Sequence, residues 1–142
     1  MPGDIVELAG HIAAVRAGEG DPIAMIGEFR RTAVLVPVSE GRFMSAEYGG
    51  IRWLYAFTDQ EALARFALVR GAAPDEAWEY LAMLGARLLD VLVPQMDGPA
   101  GVAMDVADED GSMMFPPMKG IVPDEVALDG GRNGGRGMGW LY

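Results

Sequence analysis

A continuous run of apolar and β-branched residues, positions 32–38, is the feature that most constrains the fold of this chain. A strand with one face in water alternates apolar and polar residues, and this run does not. It therefore predicts a strand that is buried on both faces. Together with the helical patterns around it, the run favours a domain that combines helices with a sheet.

Two short helices are predicted before this strand. Asp4 can cap the first helix, whose apolar face is formed by Ile5, Leu8, Ile12 and Val15. Asp21 followed by Pro22 is typical of a second helix start. Its predicted apolar stripe consists of Ile23, Ile26 and Phe29.

Two strands and a helix are predicted after the buried run. Residues 42–47 and 51–57 have strand-like composition, and the glycines between them can supply the positive φ of a tight turn. Thr58 and Glu61 have the spacing of a capping box. The box predicts a helix that carries Leu63, Phe66 and Ala67 and ends before Gly71.

The stretch 78–93 fits two patterns. Apolar residues at helical spacing fit one long helix, whereas Trp78, Tyr80 and Ala82 alternate as in a strand ahead of Gly85. We favour a strand to residue 84 and a helix over 86–93, stopped by Pro94. Two last strands are predicted at 101–106 and 113–115, around an acidic turn at 108–111.

These elements predict a small α+β (mixed α/β) single domain, with helices packed on a mostly antiparallel or mixed sheet of about five to six strands. The chain has 142 residues and no cysteine, and a core of this size needs no disulfide. The composition becomes glycine-rich near the end. We therefore predict a domain over residues 1–123 and a Gly-rich C-terminal tail over residues 124–142.

The charge balance disfavours polyanionic partners. Eleven Lys and Arg stand against 21 Asp and Glu, which gives a formal net charge of −10. Nucleic acid and anionic membranes would be repelled by such a chain, so neither is predicted as a partner. No secretory signal or membrane-spanning run is visible, and the absence of cysteine suits a reducing compartment. The predicted location is the cytoplasm.

The residues that most often carry catalysis or bind metal are scarce. The chain has one histidine, His11, and no cysteine, so we predict no catalytic residues, no metal site and no cofactor. The acidic turn is not an EF-hand, because Gly111 in the glycine position would make Val106 and Pro117 ligands. The serines have no nucleophile-elbow context. The sequence therefore favours a protein that is not an enzyme.

Two groups of side chains are candidates for binding. Met113, Met114 and Met118 near the acidic turn form either an adaptable surface or part of the core. Trp140, Leu141 and Tyr142 end the glycine-rich segment and form either an anchor for a groove or an accidental cluster.

Six segments together resemble the SseB N-terminal domain family of bacteria: residues 33–37, 53–58 running into 61–66, 84–90, 101–105, 115–117 and 120–123. The resemblance covers about residues 22–125. It implies helices packed on a mostly antiparallel or mixed sheet and supports a strand at residues 78–83. It brings no established catalytic residues, and its recurring features are determinants of the fold.

The leading interpretation is a non-catalytic cytoplasmic protein-interaction or adaptor domain, with homodimer formation expected as one mode of association. The alternative is a domain that senses a small molecule or peptide in a cleft. A carboxylate-dependent hydrolase is the third interpretation. A flat apolar patch would favour the adaptor, a deep apolar pocket with convergent polar groups the sensor, and paired carboxylates in a cleft the hydrolase.

Overall fold

The computed structural model describes residues 7–129, and it begins with two helices. Helix α1 is Leu8–Arg16 and helix α2 is Pro22–Arg31. Asp21 caps α2 as predicted, because its side chain accepts a hydrogen bond from the backbone N of Ile23. The predicted cap of α1, Asp4, is wrong, because the helix begins at Leu8 and its N-cap is the extended residue Glu7. Asp4 and Ile5 themselves lie outside the described residues.

Four strands follow in a meander: β1 (Ala33–Ser39), β2 (Arg42–Phe43), β3 (Ser45–Tyr48) and β4 (Ile51–Ala56). Gly49 and Gly50 have φ of 64° and 82°, so the predicted turn is a two-residue hairpin that only glycine adopts easily. The predicted strand at 42–47 is divided at Met44. The backbone N of Met44 donates to Pro37 O and its carbonyl accepts from Tyr55 N, so this residue bridges β1 and β4.

Helix α3 spans Gln60–Val69, but the predicted capping box is wrong. The N-cap is Asp59, whose side chain accepts from the backbone N of Ala62. Thr58 instead donates both its backbone N–H and its hydroxyl to Asp105. The local pattern predicts that the Thr58 hydroxyl caps α3, but this hydroxyl instead donates a hydrogen bond to a carboxylate from a distant segment.

The stretch 78–93, which fits two patterns in the sequence, forms a strand and then a helical segment, so the favoured prediction is confirmed. Strand β5 is Tyr80–Leu84, and it is followed by α4 (Gly85–Arg87), a π-helical turn (Leu88–Leu92) and α5 (Val93–Gln95). The helical segment continues through Pro94, so the prediction that this proline stops it is wrong. In a regular α-helix the proline ring would clash with the carbonyl four residues earlier, and the wider π-turn relieves that contact.

The described chain ends with β6 (Ala100–Met104), β7 (Met113–Phe115) and a 3₁₀ turn (Asp124–Val126). β6 is shorter than the predicted strand, because Asp105 has a φ of 51°, in the left-handed region. Residues 124–129 of the predicted tail pack on the domain: Leu128 N donates to Pro117 O at 2.7 Å. The rest of that tail lies outside the described residues.

The strands form two sheets, with the orders β2-β1-β5 and β3-β4-β6-β7. All the strand pairs are antiparallel except β4 with β6, which is parallel. Leu35 and Phe57 exchange two backbone hydrogen bonds of 2.8 Å and so join the two sheets. The predicted α+β single-domain fold is confirmed, with its mixed strand directions.

The core has layers on both faces of the sheets. On one face α1, α2 and the segment after β5 cover β1, β4 and β6, and Phe29 stacks on Phe115 with ring centroids 4.4 Å apart. On the other face α3 packs against Phe57. The prediction that Ile23 lies in the buried stripe of α2 is wrong, since Ile23 is 79 % exposed. The helix is rotated so that it buries Met25 and Phe29 instead.

Candidate interaction surface

Strand β5 forms an open edge of its sheet. It pairs with β1 on one side, and no other strand of residues 7–129 pairs with its other side. Val38 N donates to Glu79 O, and Gly85 N donates to Thr32 O. Hydrogen bonding alternates along an antiparallel strand, so the backbone groups of Tyr80, Ala82 and Leu84 point away from β1. We call these three residues the outward triplet.

The edge of β5 is apolar. Leu81 is 52 % exposed, Leu84 is 51 % exposed and Ala82 is exposed as well. Proteins usually protect an open edge with a charged residue, a proline or a bulge, because unpaired backbone groups recruit other strands. The segment Tyr80–Leu84 contains none of these. This edge therefore has the properties of a surface that a partner covers.

The two ends of β5 differ in support. Gln60 Nε2 of α3 donates to Tyr80 Oη at 2.6 Å, so the start of the strand is held by a helix. Met83 packs partly buried against the main core. Neither contact covers Leu81 or Leu84, which lie on opposite faces of the sheet. The strand is therefore positioned by the fold while its outer rim stays exposed.

Two charged residues flank β5, Glu79 before it and Arg87 after it. Neither side chain forms an ion pair or a hydrogen bond with any residue of the described part of the chain. The edge thus carries an acidic group at its start and a basic group three residues beyond its end. This polarity distinguishes the two directions in which another strand can approach.

The residues singled out from the sequence lie elsewhere. Met113 packs against the main core, Met114 is 43 % exposed on β7, and Met118 is partly buried. Trp140, Leu141 and Tyr142 lie outside the described residues. Sequence reasoning found the strand at β5 but missed it as a surface, and the available signal was its lack of any charge.

Among residues 7–129, the most deeply buried carboxylate belongs to Asp105, which is 5 % exposed. Its two oxygens accept hydrogen bonds of 2.9 Å from the backbone N and the hydroxyl of Thr58. Burial raises the pKa of Asp105, the two bonds from Thr58 lower it, and the nearby charges of Asp59 and Asp108 raise it further. Because both oxygens are already engaged, this arrangement ties the end of β6 to the start of α3.

A separate groove of about 650 Å³ lies between the β2–β4 hairpins and the end of the helical segment. Its lining combines the guanidinium groups of Arg42 and Arg52 and the carboxylate of Asp97 with apolar side chains that include Phe43 and Met96. Arg52 Nη2 lies 3.2 Å from Glu47 Oε1. Arg42 forms no ion pair with any residue between 7 and 129.

The described region, residues 7–129, was also a candidate for metal binding and for a membrane-spanning helix. No group of three or more His, Cys, Asp or Glu side chains there could hold a metal ion. No helix of that region has both the length and the apolar character needed to cross a membrane.

Comparisons with protein-family models, with curated proteins and with solved structures find no match to this chain. The resemblance to the SseB N-terminal domain family therefore stays a prediction.

Proposed function

We propose that this chain is a non-catalytic protein-interaction domain that binds a partner by adding a strand to the open edge of β5. The observation that carries the proposal is the outward triplet, Tyr80, Ala82 and Leu84, whose backbone groups have no strand partner among the described residues. An extended segment of a partner would accept and donate backbone hydrogen bonds there, as in other complexes formed by strand addition. It would also cover the two half-exposed leucines.

The charge of the chain supports a protein as the partner. A formal net charge of −10 repels nucleic acid and anionic membranes, whereas strand addition depends on neutral backbone groups. A cytoplasmic location and a relation to the SseB-like domains of bacteria belong to this proposal.

Capture from the native cell tests the function when one substitution is placed on the edge. Ala82→Lys places a charge in the middle of the outward triplet, and the exposed position of Ala82 leaves the core intact. The matched control is Ala13→Lys on the exposed side of α1. We expect the partner to be recovered with wild type and Ala13→Lys but lost with Ala82→Lys. Equal recovery with both variants would contradict strand addition at β5.

The groove at Arg42 supports a second function, the sensing of a small anion with an apolar body. A guanidinium binds a carboxylate well, and the volume of about 650 Å³ lies within the usual range of ligand sites. We expect octanoate to bind measurably in calorimetry, octanol to bind more weakly, and Arg42→Gln to weaken octanoate. Arg31→Gln, on the exposed side of α2, serves as the control. Binding of octanol equal to that of octanoate would contradict an anion site.

A further inference from the structure

The backbone of β5 is suited to pairing with itself. The outward triplet has an odd number of residues, so a two-fold axis can pass beside its middle residue, Ala82. In an antiparallel pair centred there, Tyr80 lies opposite Leu84 of the second copy, and each of the three residues donates and accepts one hydrogen bond. Any other centre leaves at least one of these residues without a partner. The complete pairing occurs in this register alone.

The side chains fit the same register. Tyr80 faces Leu84 of the second copy on one side of the sheet, and Leu81 faces Met83 of the second copy on the other. Each half-exposed leucine of β5 is then covered by a large apolar side chain. Ala82 lies opposite Ala82 of the second copy at the two-fold axis, so a larger side chain at this position would contact the same side chain of the second copy. Every cross-strand pair from residue 80 to residue 84 is apolar.

The charges that flank β5 favour the antiparallel direction. Glu79 lies before the strand and Arg87 lies after it, and neither has an ionic partner in the described part of the chain. Antiparallel pairing brings Glu79 of one copy to the end of the strand that carries Arg87 in the other. Parallel pairing would place like charges beside each other at both ends, which is unfavourable.

We infer that the strand that covers β5 belongs to a second copy of this chain, paired antiparallel with the two Ala82 residues opposite each other. The two three-stranded sheets then continue into one sheet across the two-fold axis, an isologous contact of the kind most homodimers use. This inference rests on the proposed function, since it names the partner at the same edge. In such a dimer the edge of β5 is covered, so the unpaired edge exists only in the monomer.

Sedimentation equilibrium tests the association. We expect wild type and Ala13→Lys to sediment as dimers, and Ala82→Lys to raise the dissociation constant at least about tenfold, because two like charges would be directly opposite. Circular dichroism and thermal unfolding of Ala82→Lys check that its fold is intact. A wild-type chain that stays monomeric across the accessible concentrations would overturn the inference, as would an Ala82→Lys chain that dimerises like wild type.

Disulfide formation tests the register. The chain has no cysteine, so Ala82→Cys introduces a single thiol. Directly opposite residues in a hydrogen-bonded antiparallel pair have Cα atoms about 5.5 Å apart, within the range that a disulfide spans. We expect mild oxidation to give a covalent dimer of Ala82→Cys and none of Ala33→Cys, an exposed position on β1. Cross-linking of Ala33→Cys without Ala82→Cys would overturn the register.

The two proposals can fail separately. A monomeric wild-type chain whose native partner is still lost in Ala82→Lys would overturn the self-pairing and leave strand addition to β5 standing. A native partner that binds Ala82→Lys as well as wild type, with no dimer in sedimentation, would overturn both. A dimer that is sensitive to Ala82→Lys and that cross-links at Ala82→Cys would support the inference directly.

Discussion

Asp105 accepts two hydrogen bonds from Thr58, one from the backbone N and one from the hydroxyl, each 2.9 Å long. The two residues are 47 positions apart in sequence, and the contact joins the end of β6 to the residue just before the N-cap of α3. Asp105 also has a positive φ of 51°, a conformation that aspartate tolerates better than most residues. The backbone of Asp105 therefore turns the chain at the end of β6, and its side chain joins that end to the start of α3.

The raised pKa of Asp105 predicts a pH dependence of stability. Because burial raises this pKa in the folded chain, the native state keeps its proton to a higher pH than the unfolded state. The free energy of unfolding of wild type should therefore fall relative to that of Asp105→Asn as the pH rises through the raised pKa, and then level off. Urea titrations at several pH values measure the difference. A difference that changes in the opposite direction would contradict the assignment.

Thr58→Ala and Asp59→Ala should both destabilise the chain, for different reasons. Thr58→Ala leaves one oxygen of a buried carboxylate without its hydrogen bond, at a cost of about 1–3 kcal/mol. Asp59→Ala removes the cap of α3, at a cost of about 1 kcal/mol. Lowering the pH through the raised pKa of Asp105 should change the cost of Thr58→Ala, since the acceptor of the lost hydrogen bond then becomes protonated. Chemical denaturation of both variants in parallel measures this contrast.

Two glycines should respond to alanine in opposite ways. A Cβ at Gly85 would collide with the carbonyl and the ring of Phe29, so Gly85→Ala should cost about 1–3 kcal/mol or more. At Gly27, inside α2, the nearest atom to a new Cβ is 3.4 Å away on the flexible side chain of Arg31. Gly27→Ala should therefore stabilise the helix by about 0.5–1 kcal/mol. Thermal unfolding would contradict this account if both variants shifted in the same direction.

The exposure of Ile23 predicts that this residue contributes little to stability. Ile23→Ala should change the free energy of unfolding by less than about 0.5 kcal/mol, as is usual at an exposed site. Phe29→Ala, in the same helix, should cost about 3–5 kcal/mol, because Phe29 is fully buried and stacks on Phe115. Denaturation that showed comparable losses for the two variants would mean that α2 buries a different face.

Local sequence patterns predict the helices and strands of this fold better than they predict which of these elements contact one another. The glycine turn after Tyr48 and the Asp21 cap depend on a few adjacent residues, and both were predicted. The function of Thr58 depends on Asp105, far along the chain, so the local capping pattern was misleading. The position of β5 at a sheet edge depends on which strands pair with each other, and the periodicity of a single segment does not predict strand pairing. The candidate interaction surface therefore required the structure.

The parallel pairing of β4 with β6 has a consequence for how the chain folds. Every residue of β6 is buried, and this strand pairs with β4 only after about forty intervening residues, which include α3 and β5, have been made. Contacts between such distant segments form late and slow the overall rate. During synthesis, β4 emerges from the ribosome well before its neighbour. The nascent chain can pair one edge of β4 with β3 at once, but it must keep the other edge without its partner β6 for several seconds at ordinary elongation rates, when a chaperone would be of most use.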